Sequence, residues 1–294
     1  MEYSLAIKEG FRKVNKNYQL LLIQTGVLIL AFFLFFVIVG IPIIVAFSKI
    51  GLELPEAGLK ELIGLILQKG LSGYKTIIIT VAGSLLIYLV LSSLLFIYTI
   101  AATCGMLMGA IKSNESFSWG LFRHYGKTLF PGFLRLSLAG ILIFIIISFI
   151  AGLVGGFTKG LSGGAGGDNF IKDFFDNLLN LISVLFTFSA IIIFMATFTY
   201  GAGFMILRKE KALQALKSSI KFIFFKNPGA LLFYVLLSMG AIVVSLSFGL
   251  IGLVFKGVIT FTLYQLVLSV IQIYINLLVL AGAFAYLGAE ERSE

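Results

Sequence analysis

Residues 19–47 read QLLLIQTGVLILAFFLFFVIVGIPIIVAF, an apolar run that contains no Asp, Glu, Lys, Arg or His. The run is longer than the roughly 20 residues that an α-helix needs to cross the hydrocarbon core of a bilayer. Five similar runs follow, at residues 76–110, 131–154, 177–207, 230–255 and 260–287. Since backbone in lipid must satisfy its own hydrogen bonds, and these runs lack the alternation of barrel strands, each is predicted to be helical. The sequence therefore predicts an all-α, polytopic membrane helix bundle with six transmembrane helices.

Composition supports the same class of protein. The chain is 60% hydrophobic and 12% charged, whereas about 25% of residues are charged in a typical soluble domain. The segments between the runs are short and scattered, so we expect a single membrane domain over residues 1–294. One of these segments, residues 53–73, is predicted to form a short amphipathic helix on the outer surface. The single cysteine, Cys104, rules out a disulfide framework within the chain.

The positive charge falls mainly on one side of the predicted bundle. Fifteen of the 22 Lys and Arg residues lie in the N-terminal segment, the 111–130 and 208–229 segments, the first turns of span three and the C-terminal segment. The other seven lie in the remaining loops and are nearly balanced by acidic residues. Cytoplasmic loops of membrane proteins carry the excess of Lys and Arg. This distribution predicts that both termini are cytoplasmic and that the protein is a multi-pass protein of the cell membrane.

Three basic segments precede the first, third and fifth spans, at residues 4–18, 118–131 and 212–229. Each can form a helix with an apolar stripe on one face and basic residues beside it. The apolar stripes are Ile7, Phe11, Val14 and Tyr18; Trp119, Phe122, Gly126 and Leu129; and Leu213, Leu216, Ile220 and Ile223. We interpret the chain as a threefold repeat in which a basic amphipathic cytoplasmic helix, here called a leading helix, precedes a two-span hairpin.

One part of the sequence resembles a known family. The signature runs from Phe198-Thr-Tyr-Gly through Ala212-Leu-Gln-Ala-Leu-Lys-Ser-Ser-Ile to Lys226-Asn-Pro-Gly. With the span layout, this stretch at residues 198–229 resembles a largely uncharacterised family of prokaryotic six-span integral membrane proteins. That family is similar to the membrane domain fused to some glycerophosphodiester phosphodiesterases. We expect no soluble phosphodiesterase domain in this chain, so the resemblance implies architecture and not that activity.

Two groups of residues are candidates for function. Polar residues within the spans could line a substrate path or form hydrogen bonds between helices. The candidates for this intramembrane polar path are Gln24, Thr199, Gln265, Gln272 and Asn276. Basic residues of the leading helices could contact anionic headgroups, or could serve only to set topology and anchor the chain. The candidate anionic-lipid contacts are Lys8, Arg12, Lys16, Arg123, Lys127, Lys217 and Lys221.

Catalytic machinery is not evident in the sequence. The single histidine, His124, has no second His, Cys or Asp at metal-ligand spacing, and the span centres supply no acid or base. We therefore expect no enzyme activity, no metal, no cofactor and no nucleic-acid partner. The favoured function is a membrane-embedded scaffold or accessory subunit that contacts lipid, another membrane protein or a second copy of the chain. The alternative is a transporter or permease for an uncharged or amphiphilic substrate such as a lipid.

Overall fold

The computed structural model describes residues 3–48, 75–163, 169–252 and 257–293. The predicted outer helix at residues 53–73 and the last residues of the fifth predicted span lie outside these ranges. Nine α-helices and two π-helical turns account for nearly all of the described residues. The helices are α1 Tyr3–Lys16, α2 Gln19–Phe35, α3 Ile41–Ser48, α4 Lys75–Ser113, α5 Trp119–Gly163, α6 Asn169–Leu207, α7 Ala212–Lys221, α8 Pro228–Gly252 and α9 Val258–Ser293. The π-helical turns are Phe36–Gly40 and Phe222–Lys226.

All regular secondary structure in the described residues is helical, and these residues contain no strand. This confirms the all-α prediction. Six helical segments are long and apolar enough to cross a membrane, as the sequence predicts. These segments are Gln19–Val45, Ile78–Ser113, Trp119–Leu153, Asn177–Leu207, Pro228–Gly252 and Thr260–Arg292. The chain is therefore built as a multi-pass membrane protein. Its orientation and its threefold plan stay predictions.

The described residues divide into two compact units. One unit, here called the large unit, contains the chain up to Leu21 and from Ile100 onward; the other, the small unit, is Leu22–Thr99. Within the small unit, the rings of Phe35 and Tyr88 meet edge to face with centroids 5.2 Å apart. A π-helical turn precedes Pro42 in this unit. Proline removes an amide donor and clashes with the preceding turn, and a single π-helical turn within an α-helix is one way in which the backbone adjusts locally.

The core of the large unit lies at one end of its long helices. Buried residues form nearly continuous runs at 101–111 in α4, 200–205 in α6 and 281–288 in α9. These runs are rich in Gly and Ala, which let helix backbones approach closely in membrane proteins. By contrast, most side chains between Leu138 and Leu153 of α5 are exposed or half-buried, as expected for a lipid-facing span. We call the packed end, which carries Lys13, Lys112, Arg208 and Arg292, the basic end.

Helices α1 and α7 occupy the positions predicted for the first and third leading helices, and each packs on the basic end of a long helix. Gly10 of α1 lies against Gly282 of α9. Ser219 of α7 is fully buried and donates a hydrogen bond to the carbonyl oxygen of Thr197 in α6, at 2.8 Å. The buried residues are Ala6, Gly10, Lys13 and Val14 in α1, and Ala212, Ala215, Leu216 and Ser219 in α7. Several large apolar residues, such as Leu213, are exposed instead.

The second predicted leading helix is not a separate element. Residues 119–130 form the first turns of α5, which continues without interruption through Pro131. In the first and third segments the helical run stops at an asparagine, Asn17 or Asn227. Asn17 caps the last turn of α1 by donating its side-chain amide to the Lys13 carbonyl, and Asn227 has a non-helical φ of −142°. In the second segment the residue before the proline is Phe130, whereas in the third segment it is Asn227. Phenylalanine offers no side-chain hydrogen bond that competes with the helix, so the helix continues.

Candidate functional site

The basic end of the large unit contains a cavity of about 860 Å³ between α1, the end of α4 and the end of α9. Its charged lining consists of five basic residues and one acidic residue. The lining residues are Glu9, Arg12, Lys13, Lys16, Ile111, Lys112, Ser113, Asn114, Ala285, Ala289 and Arg292. We call this space the basic cavity. A second cavity of about 450 Å³ shares Ile111, Lys112 and Arg292 with it.

Asn114 positions two of the lysines. It follows the last residue of α4 and has a φ of 55°, the left-handed conformation that asparagine tolerates better than most residues and that often ends helices. Its Oδ1 accepts hydrogen bonds from the Nζ atoms of Lys13 at 3.0 Å and Lys16 at 3.3 Å. Its carbonyl oxygen accepts a further bond from Lys16 at 3.2 Å. The end of α4 therefore holds two ammonium groups of α1 close together.

Lys13 is the buried cation of the cavity, with only 3% of its surface exposed. Its Nζ lies 3.3 Å from Glu9 Oε1, and Arg12 Nη2 lies 2.6 Å from Glu9 Oε2. Burial raises the pKa of the Glu9 carboxyl, but its hydrogen bonds and ion pairs with Arg12 and Lys13 outweigh burial and lower that pKa below the ordinary glutamate value. Glu9 is therefore ionised at neutral pH and is already shared by two cations.

Arg292 and Lys112 approach the cavity from α9 and α4. Arg292 Nη2 donates to the carbonyl oxygen of Ile111 at 3.1 Å, which caps the end of α4 with a positive charge. Lys112 is exposed and makes no hydrogen bond or ion pair with any other residue in the described ranges. The nearby carboxylate of Glu291 is engaged by Arg208. The described residues thus leave most of the positive charge around the cavity without a carboxylate partner.

Helix α1 is held in place by contacts along its length. Tyr3 donates its hydroxyl to the carbonyl oxygen of Gly229 at 3.1 Å, and its ring stacks on Phe233 with centroids 5.1 Å apart. Near the other end of α1, Tyr274 of α9 donates to Asn15 Oδ1 at 2.8 Å. These contacts fix α1 as an integral part of the large unit. They consequently fix the positions of the four charged residues that α1 contributes to the cavity.

The seven predicted lipid contacts are all exposed, and the structure brings only two of them into the cavity. Arg12 and Lys16 line it, whereas Lys8, Arg123, Lys127, Lys217 and Lys221 lie on outer surfaces of the leading segments. Sequence reasoning missed Lys13, Lys112, Asn114 and Arg292 as site residues. They are separated by up to 279 positions along the chain. They are brought together by the packing of α1 on α9, by the hydrogen bonds from α1 to Asn114 and by the bond from Arg292 to Ile111. The basic run at residues 8–16 was the sole sequence signal pointing to this region.

The residues of the predicted polar path lie in different surroundings. Thr199 donates its hydroxyl to Tyr234 at 3.3 Å, which links α6 to α8. Gln265, Gln272 and Asn276 lie on exposed positions of α9 and make no side-chain hydrogen bond with any other residue that the structure describes. Gln24 belongs to the small unit and is half-buried.

In the described part of the chain, no three His, Cys, Asp or Glu residues lie close enough together to hold a metal ion. Comparison with protein-family models, curated proteins and solved structures found no match to this chain. The resemblance of residues 198–229 to the six-span family therefore stays a prediction.

Proposed function

We propose that this integral membrane protein is a non-catalytic scaffold or accessory subunit of the cell membrane. In this role it would bind another membrane protein, or a second copy of itself, through an exposed polar face of α9. Lipid would surround the rest of its apolar helices. The six long apolar helices support the membrane location, and one feature of α9 carries the proposal of a protein partner.

That feature is the amide stripe, defined as Gln265, Gln272 and Asn276. Positions seven and eleven residues after Gln265 fall on the same side of an α-helix as Gln265, so the three amides face one direction. All three are exposed, although α9 is one of the six membrane-crossing segments. An amide carries two donors and an acceptor with two lone pairs, and leaving these groups unpaired in hydrocarbon is costly. A partner helix with polar side chains would satisfy them, at about 0.6 kcal/mol for each hydrogen bond.

Cysteine cross-linking tests this proposal because the only native cysteine, Cys104, is buried. Gln265→Cys places a thiol on the amide stripe, and Val267→Cys places one at nearly the same depth on the opposite side of α9. Val267 is 57% exposed and Gln265 is also exposed, so a thiol is accessible at either position. In oxidised native membranes we expect a discrete intermolecular adduct with Gln265→Cys and little or none with Val267→Cys.

A different outcome would favour the permease alternative. If thiols at positions 265, 272 and 276 all react rapidly with a membrane-impermeant maleimide and form no intermolecular adduct, the stripe faces water. The scaffold proposal would then be wrong, and a polar substrate path along α9 would account better for these residues. A substitution such as Gln272→Leu would be expected to abolish uptake in the permease case. In the scaffold case it would abolish the adduct without altering permeability.

A further inference from the structure

We infer that the basic cavity is a binding site for a phosphate-bearing anion, supplied either by the headgroup of an anionic lipid or by a soluble phosphate. The inference is independent of the amide stripe, since the two features share no residue. It rests on the charge of the cavity, on its unused donors and on its position at the end of the membrane-crossing helices.

The charge of the cavity is strongly one-sided. Arg12, Lys13, Lys16, Lys112 and Arg292 surround it, against the single carboxylate of Glu9. Like charges held in one cavity repel each other, and the repulsion is stronger beside protein and lipid than in open water. A bound anion would relieve this repulsion. The positive charge of Lys13 is the least compensated by solvent, because its side chain is 97% buried. Its one carboxylate partner, Glu9, is shared with Arg12.

Hydrogen-bond donors in the cavity stay available after Arg292 has capped the end of α4. Arg292 has five N–H groups, and its hydrogen bond to Ile111 occupies one side of the guanidinium. Lys112 contributes three donors with no partner among the described residues. Arg and Lys together suit phosphate, because guanidinium matches two phosphate oxygens while ammonium acts as a compact point charge. The lining therefore offers the planar guanidinium of Arg292 from α9 and the ammonium group of Lys112 from α4. Lys16 of α1 lines the same cavity.

The position of the cavity suits a headgroup at a membrane surface. Helix α1 carries exposed apolar side chains next to its basic ones, including Leu5, Ile7 and Phe11, each about half exposed. A helix of this composition lies in the interface with its apolar side in the acyl region and its basic residues at headgroup depth. Basic cavities between membrane helices are recognised sites for phosphate-bearing lipid headgroups. The cavity of about 860 Å³ has room for a headgroup as well as for free phosphate.

The experiment uses full-length protein in nanodiscs and separates the two sources of phosphate. In one arm the discs contain phosphatidylcholine with phosphatidylglycerol, and native mass spectrometry counts the phosphatidylglycerol that stays bound. In the other arm the discs contain phosphatidylcholine alone, and inorganic phosphate is titrated while thermal unfolding is followed. Lys112→Gln is the test variant because Lys112 is exposed and has no partner among the described residues, so its replacement should not disturb folding. Arg292→Gln and Arg292→Lys test the contribution of the Arg292 guanidinium to binding.

We expect Lys112→Gln to weaken binding by about fivefold, the effect of removing one cationic contact near an anionic headgroup. Arg292→Gln should weaken binding by more, and Arg292→Lys should recover part of the loss. Lys211→Gln is the control, because Lys211 is an exposed basic residue of the same unit that lies outside the cavity. This substitution should leave binding unchanged. Selective retention of phosphatidylglycerol identifies a lipid site, and stabilisation by phosphate alone identifies a soluble ligand. If neither ligand binds, or if Lys211→Gln weakens binding as much as Lys112→Gln, the inference is overturned.

Discussion

Gly10 of α1 lies in direct backbone contact with Gly282 of α9, so that a methyl group on Gly10 would be 2.7 Å from the Gly282 nitrogen and 2.9 Å from its Cα. No Cβ can be accommodated at this distance, and the obstructing atoms are backbone atoms that cannot rotate away. This contact brings the basic residues of α1 beside the ends of α4 and α9. It therefore determines the geometry of the basic cavity.

Gly10→Ala should accordingly displace α1 and destabilise the large unit. We expect a loss of about 1–3 kcal/mol, the usual effect of adding a methyl group to a tightly packed contact. The measurement is thermal or denaturant unfolding of the purified protein in detergent. Gly26→Ala is the matched control, because a methyl group on Gly26 of α2 would have nothing within 4 Å. Equal stability of the two variants would contradict the close contact between α1 and α9.

Asn114 performs two roles that two substitutions can separate. Asn114→Gly keeps access to the left-handed backbone conformation and removes the side-chain acceptor for Lys13 and Lys16. Asn114→Ala removes the acceptor and also strains the backbone, which costs roughly 1–2 kcal/mol for a residue with a Cβ in that conformation. We expect Asn114→Ala to unfold at a lower temperature than Asn114→Gly, with both below wild type. If the alanine variant were as stable as the glycine variant, the positive φ at this position would be wrong.

The ion pairs of Glu9 predict a specific dependence of stability on pH. The pKa of Glu9 is lowered in the folded protein, because its bonds to Arg12 and Lys13 outweigh the effect of burial. Its stabilising contribution is therefore complete above the unfolded-chain pKa of about 4.3 and is lost as the pH falls through the lower folded-state value. We expect wild type to exceed Glu9→Gln in unfolding temperature at neutral pH, by an amount on the order of 1 kcal/mol, because the pair with exposed Arg12 contributes little and the pair with buried Lys13 contributes most of the effect. The difference should vanish in acid. A difference that stays constant across this range would exclude the carboxylate as its source.

The fold was predictable from the sequence to the extent that the bilayer determines it. Runs such as residues 19–47 have to be helical in hydrocarbon, so composition alone identifies the six long helices. The continuity of α5 was not predictable from the amphipathic pattern. That pattern is shared by all three leading segments, whereas the outcome depends on whether asparagine or Phe130 precedes the span.

The candidate site was less predictable than the fold. The basic residues of α1 are evident in the sequence, but Lys13 and Lys16 meet Asn114 across about a hundred residues of chain. That meeting depends on a glycine–glycine contact between two helices, and a single sequence contains no signal that pairs Gly10 with Gly282. The same limit applies to the amide stripe. Its helical spacing is evident in the sequence, whereas its exposure depends on how the neighbouring helices pack.

The packing of α7 on α6 can be tested by comparing how the replacement of two serines changes stability. Ser219 is fully buried and donates between helices to the Thr197 carbonyl, whereas Ser247 is exposed and donates within α8 to the Val243 carbonyl four residues earlier. The bonds are 2.8 Å and 2.9 Å long, so they differ in location and hardly in length. Ser219→Ala should lower stability by about 1 kcal/mol, since it removes a buried bond that joins two elements. Ser247→Ala should change stability by less than about 0.5 kcal/mol, because the helix retains its own backbone bonds without the hydroxyl. Unfolding measured on both variants side by side would contradict the docking of α7 on α6 if Ser219→Ala proved as neutral as Ser247→Ala.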